Sequence, residues 1–600
     1  MLRRFLTPVA SLILLLASLP VASLTVQAAE TAWDAISTDA SVVIRFKKPK
    51  ATIDKVADLV ELVMKGQGDQ VRTQAALLGQ AISNPTLAGV DMEADWFIAM
   101  YTDDDDDDDG KKDEKKDDTD DDPTFVFIVP ATDLAAMKEA LGDSFKFMEH
   151  GKLGVYTSDE ATAKSTAARL AGEGKSISTL IDKDSHALFE SGDLSVFINV
   201  KQLAADYKDE IEKFQETAKQ QLENMPAGAP GVPSGMSPQQ MTEIAGHVLT
   251  ALSGALDDTH SCTIAAVVSK DGLSFEDLVK VKAGSSTDKL LAKSAPGALG
   301  TLSSLPAGHL AYMGFTWDMS DIAKLNQWLM GIGGSMLKPE AAKEWEAALG
   351  EAAKLKIKSL VTAFGLGDLD EGAIRSVSIT EVDNPTKMRE LTQKVIKAMQ
   401  GVETQGIKQT FEMKKDAEKY GKNSADVTTV KTEMVDQENP FVAQIMERMT
   451  TVMFGPDGMT TRSVYLKDKI VQTVGGGKQS MTDTLAALDQ KTSETSKSPL
   501  QQTRAKLGAK TNVMVLFDLT NTVAKIVDLL AQSQAVPIPL DPEQVKGLQT
   551  KPSFVGLSAA TEPQALRVKT LVPVEQMQGI VRIVNFVQQT IMGGAEVEEN

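Results

Sequence analysis

The sequence predicts an α+β protein made of two related halves, each a mainly antiparallel sheet with helices packed on one face. Two observations lead to this prediction. A short apolar strand, a brief turn and an amphipathic helix recur at four places, and other apolar runs are paired across short turns. The predicted domains are a signal peptide at 1–29, an N-terminal half at 30–285 and a C-terminal half at 286–600.

Residues 1–29 have the pattern of a secretory signal peptide. Arg3 and Arg4 give a positive start, residues 9–19 form an apolar run, and residues 26–28 (VQA) supply small side chains before a cleavage point. The apolar run is shorter than the ~20 residues that a membrane span needs. We therefore expect an exported protein, periplasmic or extracellular, with no stable membrane insertion after signal cleavage.

Composition restricts the partners. The 600-residue chain has a net charge of −21, which disfavours nucleic acid and anionic lipid headgroups because polyanions bind clustered Lys and Arg. Cys262 is the only cysteine, so an exported form has no internal disulfide and depends on packing. Because Cys262 stands just before an apolar run, we predict that it lies in a strand and that its side chain packs like a small hydrophobic residue.

The recurring strand–helix unit defines the two halves. Asp318 and Asp518 are placed to cap two of its helices, because a carboxylate there accepts the first free backbone N–H groups. The four units are 41–46 with 52–64, 194–200 with 202–222, 309–315 with 318–330, and 512–517 with 520–531.

A second recurring piece is a strand that enters an Ala-rich helix, at 153–158 and at 469–474. In the first of these, Thr157 and Glu160 have the spacing of a capping box. The two pieces come in the same order in both halves, so 153–224 corresponds to 469–531. This order predicts an internal duplication.

Hairpins and a last helix complete the predicted elements. Asp271-Gly272 is a two-residue hairpin signal between the apolar runs 262–270 and 273–282. A similar pair of runs is 554–560 and 565–572. The last helix, 574–592, carries a broad apolar stripe that is typical of packing on a sheet.

The acidic segment 103–122 begins with seven consecutive aspartates, and such dense like charge predicts a disordered loop. The runs 96–100 and 125–129 on either side are strand-like, so the segment joins two paired strands. Asp105 to Gly110 match the start of an EF-hand loop, but Lys116 stands where a bidentate Glu is required. Loose condensation of divalent ions is therefore favoured over a specific calcium site.

No catalytic, cofactor-binding or metal-ligating residue is predicted, and no cofactor. Gly475-Gly476-Gly477-Lys478 lacks the spacing of a phosphate loop, so a strand-to-helix turn is favoured. The chain has 25 methionines, which suit either core filling or an apolar groove. The five histidines have no metal-ligand spacing: His150, His186, His247, His260 and His309.

Residues 305–315 (LPAGHLAYMGF), followed by Asp318, resemble the recurring "LPAD…ALYV" start of a family of exported bacterial proteins of unknown function. Residues 188–197 (LFESGDLSVF) are a weaker copy of the same start. The family has no assigned catalytic residues, so the resemblance implies none here.

The predicted function is that of an exported, non-enzymatic protein that binds an apolar ligand in a groove between sheet and helices, or an envelope protein partner. One alternative is a structural or surface-associated component of the envelope. Another is a hydrolase with a dispersed carboxylate site, for which 83 Asp and Glu residues make any single pair uninformative. The oligomeric state stays open.

Overall fold

The structure is a computed structural model of the chain. It describes residues 29–74, 77–102, 123–223, 238–316, 339–352, 354–367, 369, 372–400, 402–404, 407–434, 448, 450–489, 498–533 and 542–595. Several sequence predictions lie outside these residues: the signal peptide up to residue 28, the acidic loop 103–122, and the helix 318–330 with its cap Asp318.

The described strands occur singly or in consecutive groups between the helices. The strands are β1 (Val42–Phe46), β2 (Trp96–Tyr101), β3 (Thr124–Pro130), β4 (Lys146–His150), β5 (Leu153–Thr157), β6 (Leu194–Ile198), β7 (Thr259–Ser269), β8 (Gly272–Val281), β9 (Ala311–Phe315), β10 (Ile357–Leu366), β11 (Ile374–Val382), β12 (Val402–Thr404), β13 (Ile407–Tyr420), β14 (Asn423–Met434), β15 (Met459–Tyr465), β16 (Lys469–Val474), β17 (Val513–Phe517), β18 (Val555–Glu562) and β19 (Ala565–Pro573).

The helices range from one turn to six turns in length. They are α1 (Ala29–Asp34), α2 (Pro49–Val63), α3 (Gly68–Gln74), α4 (Leu77–Ala81), α5 (Leu134–Leu141), α6 (Glu160–Leu170), α7 (Lys183–Ser191), α8 (Val200–Asp206), α9 (Lys208–Glu223), α10 (Pro238–Asp258), α11 (Ser286–Lys293), α12 (Pro339–Ala352), α13 (Pro385–Ala398), α14 (Gly477–Asp489), α15 (Pro499–Leu507), α16 (Leu519–Ser533), α17 (Pro542–Gly547) and α18 (Val574–Ala595).

The chain divides into two compact units. Unit 1 comprises 1–214, 252–289 and 563–578, and unit 2 comprises the remaining segments. Strands β1–β8 and β19 therefore belong to unit 1, and β9–β18 to unit 2. Helices combined with antiparallel sheet confirm the α+β class.

Every described strand pairing within the two units is antiparallel. In unit 1 the strands lie in the order β4–β5–β3–β2–β1–β6–β7–β8–β19. In unit 2 the order is β12–β13–β14–β15–β16–β11–β10–β9–β17–β18. The predicted pairing of 96–100 with 125–129 is confirmed by β2 and β3, and the Asp271-Gly272 hairpin by β7 and β8.

Helices cover both faces of the sheet in unit 1, so the prediction of one covered face is wrong there. Side chains on β1 and β2 alternate between two cores: Phe46 and Trp96 enter one, and Val43 and Phe97 enter the other. The reason is that both alternating sets are apolar, as in strands that are buried on two sides. The first core includes Ile53, Val56 and Leu59 of α2, Leu78 of α4 and Met137 of α5; the second includes Trp33 of α1 and Phe189 of α7.

Of the predicted helix starts, the cap at Asp518 is confirmed and the capping box at Thr157 is wrong. Asp518 caps α16, because its carboxylate accepts from the backbone N–H of Asn521 at 3.2 Å, as predicted. The predicted capping box at Thr157 is wrong: Thr157 is fully buried at the end of β5, and Asp159 accepts from the backbone N–H of Thr162 at 2.6 Å. The predicted helix 202–222 is divided into α8 and α9 at Tyr207.

Two ion pairs, each with a buried carboxylate, join distant segments. In unit 1, Lys55 of α2 lies 3.1 Å from Asp193, which also accepts from the backbone N–H of Val268 at 2.9 Å. In unit 2, the Arg389 Nε of α13 donates to Asp426 of β14 at 2.7 Å. Asp426 is 1% exposed and Asp193 is 5% exposed, so each carboxylate depends on its partner.

Candidate functional site

Four neighbouring strands of unit 2 present an apolar face on which most side chains are partly exposed. We call it the open face. The register places its side chains in three rows across β10, β9, β17 and β18. The rows are Leu360, Phe315, Val513 and Ala559; Thr362, Met313, Val515 and Leu557; and Phe364, Ala311, Phe517 and Val555.

Exposure on the open face is concentrated at its outer strands. Leu360 and Phe364 of β10 are 36% and 37% exposed, and Leu557 of β18 is 40% exposed. Most of the side chains between them are partly buried. Scattered apolar side chains on a surface are ordinary, whereas these side chains form a contiguous group.

The opposite face of the same strands is closed. Val361, Tyr312 and Leu516 are at most 1% exposed. Gly314 and Gly556 allow close cover on this side: a Cβ built on Gly314 would lie 2.9 Å from Leu299, and one on Gly556 would lie 2.6 Å from Leu507 of α15. Leu299 and Leu507 therefore help to hold the strands on this side.

The open face has a polar border. On β11, the strand beyond β10, the next positions of the three rows are Thr380, Ser378 and Ser376.

The apolar part of the open face spans four strands and three rows, which corresponds to about 14 Å by 14 Å at ordinary strand and residue spacings. The twelve positions include no charged side chain and one hydroxyl, at Thr362. Such a surface can hold an apolar group next to hydroxyls, and it offers no acid or base.

Unit 1 has an apolar cavity between its strands and α4. It is lined on the strand side by Ile44 and Phe46 of β1, Trp96 and Ile98 of β2, and Leu194 of β6. Its volume of about 20 Å³ holds roughly one water molecule, whereas ligand pockets run to ~300–1,000 Å³. This cavity cannot hold a ligand unless α4 moves.

The histidines lie on separate elements. His150 ends β4, His186 lies on α7, His247 lies on α10 and His260 lies on β7. His309 precedes β9, where its Nδ1 is 3.1 Å from the carbonyl oxygen of Pro306 and burial lowers the pKa of its ring. Among the residues that the structure describes, no group of three or more His, Cys, Asp or Glu side chains is placed to hold a metal ion.

The buried carboxylates serve structural contacts. Asp193 and Asp426 belong to the two ion pairs, and Asp518 caps α16 while also accepting from the backbone N–H of Ser553 at 3.4 Å. A hydrolytic pair would need at least one carboxylate free to act as acid or base. These three are each bound to a cation or to backbone N–H groups.

Cys262 lies in the middle of β7 and pairs with Ile198 and Val279 of the neighbouring strands. Burial, with added repulsion from Asp277, raises the pKa of its thiol to about 11. We expect Cys262 to react with a disulfide reagent about 100-fold more slowly at pH 8 than free cysteine, because the thiolate is the reactive form. Stopped-flow absorbance across pH 7–11 checks this, and a fast rate at pH 8 would contradict it.

The residues of the open face were not identified as a site from sequence. The sequence predicts strands at 309–315, 512–517 and 554–560, but it does not predict β10, and it gives no register between the four strands. The available signal was that both alternating sets of residues in β9 and β17 are apolar, which is more than a one-sided core requires. Several of the 25 methionines that suit core filling or a groove lie outside the described residues, among them Met330, Met336, Met446 and Met449, while Met453 is 38% exposed.

No family model, curated protein or solved structure matches this chain. The resemblance of residues 305–315 to an exported family therefore stays a prediction. Among the described residues, no helix combines the length and the apolar content that crossing a membrane requires.

Proposed function

We propose that this is an exported, non-enzymatic protein that binds an apolar ligand on the open face of unit 2. The observation that carries the proposal is the continuous apolar grid of β10, β9, β17 and β18, whose outer side chains Leu360, Phe364 and Leu557 are 36–40% exposed. Binding removes this surface from water, which is favourable by about 25 cal/mol for each Å².

The border suggests the class of ligand. The apolar rows end at Ser376, Ser378 and Thr380 of β11, which are neutral hydrogen-bonding side chains. An acyl chain whose neutral polar end lies over these hydroxyls fits both parts. The net charge of −21 disfavours a strongly anionic ligand.

We further propose that the two units are related copies, as the sequence predicts. Support comes from the strand order, because β4–β5–β3–β2–β1–β6–β7 in unit 1 and β15–β16–β11–β10–β9–β17–β18 in unit 2 follow one pattern. In this correspondence the cavity of unit 1 lies on β1, β2 and β6, the counterparts of β9, β10 and β17. Helices α2 and α4 cover the unit 1 strands, and residues 317–338, which follow β9, lie outside the described residues.

The test uses the full chain and N-phenyl-1-naphthylamine, a dye that fluoresces in apolar surroundings. We expect wild-type protein to bind the dye, and Leu360→Gln and Phe364→Gln each to weaken binding about tenfold, because each loses ~60 Å² of apolar contact. The matched control is Leu62→Gln on α2 of unit 1, which removes a side chain of 48% exposure that is not part of the open face.

Native mass spectrometry on protein purified without detergent identifies a natural ligand by mass that disappears on denaturation. Equal dye binding by the wild type, the two open-face variants and the control would overturn the assignment of the site. Absence of both dye binding and a retained ligand would overturn the proposed function.

A further inference from the structure

Helix α18 carries a second apolar surface, which is separate from the open face. Ile580, Val584 and Val587 are 38%, 48% and 45% exposed, at spacings of four and three residues. We call these three residues the α18 stripe. Spacings of three and four keep side chains on one side of a helix and are the pattern of a helix–helix seam. The sequence continues the spacing to Ile591.

The prediction for this helix was that its apolar stripe packs on a sheet. The first turn follows this prediction, because Val574 and Met577 pack against the core of unit 1, but the α18 stripe further along the helix is exposed. Gln576 and Gly579 are buried, and Gly579 packs so closely against Thr520 of α16 that a Cβ there would overlap the Thr520 side chain. The helix is therefore fixed in place with its stripe still in contact with water.

We propose that the α18 stripe is the contact through which two copies of this chain associate. A second copy presents the same stripe, so a two-fold axis beside α18 would bury both at once. Charge favours this partner over a membrane surface: Arg582 is the only charged residue between 576 and 595, whereas binding to anionic headgroups needs several cations. For a chain of net charge −21, this nearly neutral helix is also a surface where self-association meets little repulsion.

The size of the stripe sets the strength of the association. Two heptads of paired helix bury less than the ~800 Å² per partner of a standard stable interface. We therefore expect a reversible dimer with a dissociation constant in the micromolar range. The inference is independent of ligand binding at the open face, because it uses different residues.

Sedimentation velocity of the full chain between about 1 and 100 μM is the test. We expect the wild type to shift from monomer to dimer across this range, and Val584→Glu to remain monomeric throughout. Asn585→Glu is the matched control: it adds the same charge one residue away, off the stripe, and we expect it to dimerise like the wild type. Circular dichroism checks that both variants are folded, and Val587→Gln replaces Val584→Glu if that variant does not fold.

Three results would overturn the proposal. One is a wild-type chain that remains monomeric at 100 μM. Another is dimerisation that Val584→Glu and Asn585→Glu change equally, which would place the interface elsewhere. The third is a monomer that co-sediments with phosphatidylcholine vesicles through an intact Val584, which would assign the α18 stripe to a membrane surface.

Discussion

Replacing Arg389 with alanine is expected to lower the free energy of unfolding of unit 2 by about 3–5 kcal/mol. Arg389 donates through two nitrogens to Asp426, and it also lies 3.1 Å from Asp416. Asp426 is 1% exposed, so the variant leaves a buried carboxylate without its cation. The arginine also packs over the ring of Tyr465 at 5.4 Å, and this contact is lost as well.

The control is Lys387→Ala on the same helix. Lys387 pairs with Glu351 at 2.8 Å, but each side chain is 37% exposed, so solvent screens the pair and we expect a much smaller loss of stability than for Arg389→Ala. Urea unfolding followed by circular dichroism measures both variants.

Arg389→Lys separates the effect of charge from that of geometry. Lysine keeps the charge but cannot make the contact through two nitrogens, so we expect a loss of stability between those of Arg389→Ala and Lys387→Ala. Equal stability of Arg389→Ala and Lys387→Ala would contradict the anchoring role.

Replacing Asp193 with asparagine is expected to destabilise unit 1 by about 3 kcal/mol. Lys55 and Asp193 side chains are both 8% exposed, and their contact joins α2 to the start of β6. Asparagine nearly preserves the shape and can still accept from the backbone N–H of Val268, so the loss comes mainly from the unpaired lysine. Urea unfolding measures this loss too, and Glu93→Gln, which removes an exposed pair with Lys50, is the control.

A double variant tests the cause of that loss. Lys55→Met combined with Asp193→Asn removes both charges, so no buried charge is left unpaired. We expect the double variant to be more stable than Asp193→Asn alone. A double variant whose loss equals the sum of the losses of Asp193→Asn and of Lys55→Met, each measured alone, would show that the two residues act independently. If the units unfold in separate transitions, this series should shift one of them and the Arg389 series the other.

Much of the local structure followed from short-range signals. Asp271-Gly272 between two apolar runs was enough to predict the β7–β8 hairpin, because a two-residue turn leaves few alternatives for the flanking strands. Asp518 was recognised as a helix cap because its acceptor and the N–H groups it binds lie within a few residues of each other. Thr157 shows the limit of such signals: it has the right spacing, but it is buried in a strand, and Asp159 takes the role.

The candidate site could not be predicted in the same way. The three rows of the open face combine strands from 311–315, 357–366, 513–517 and 555–562, and their register depends on strand pairing over long separations. A shift of one residue in any strand would turn its apolar set to the other face. The partial exposure of Leu360 and Leu557 depends on which segments cover the sheet, and this is a tertiary property.

The sequence by itself determined the α+β class, most strand positions, fewer than half of the helices and the scarcity of catalytic motifs, because these depend on side-chain period and on neighbours in the chain. Only the tertiary structure decided that helices cover both faces of the unit 1 sheet, that Lys55 meets Asp193 across 138 residues, and that the open face and the α18 stripe are exposed. The physical reason is that burial and ion pairing depend on which distant segments meet. The sequence around an apolar side chain is the same whether the fold buries that side chain or exposes it to water.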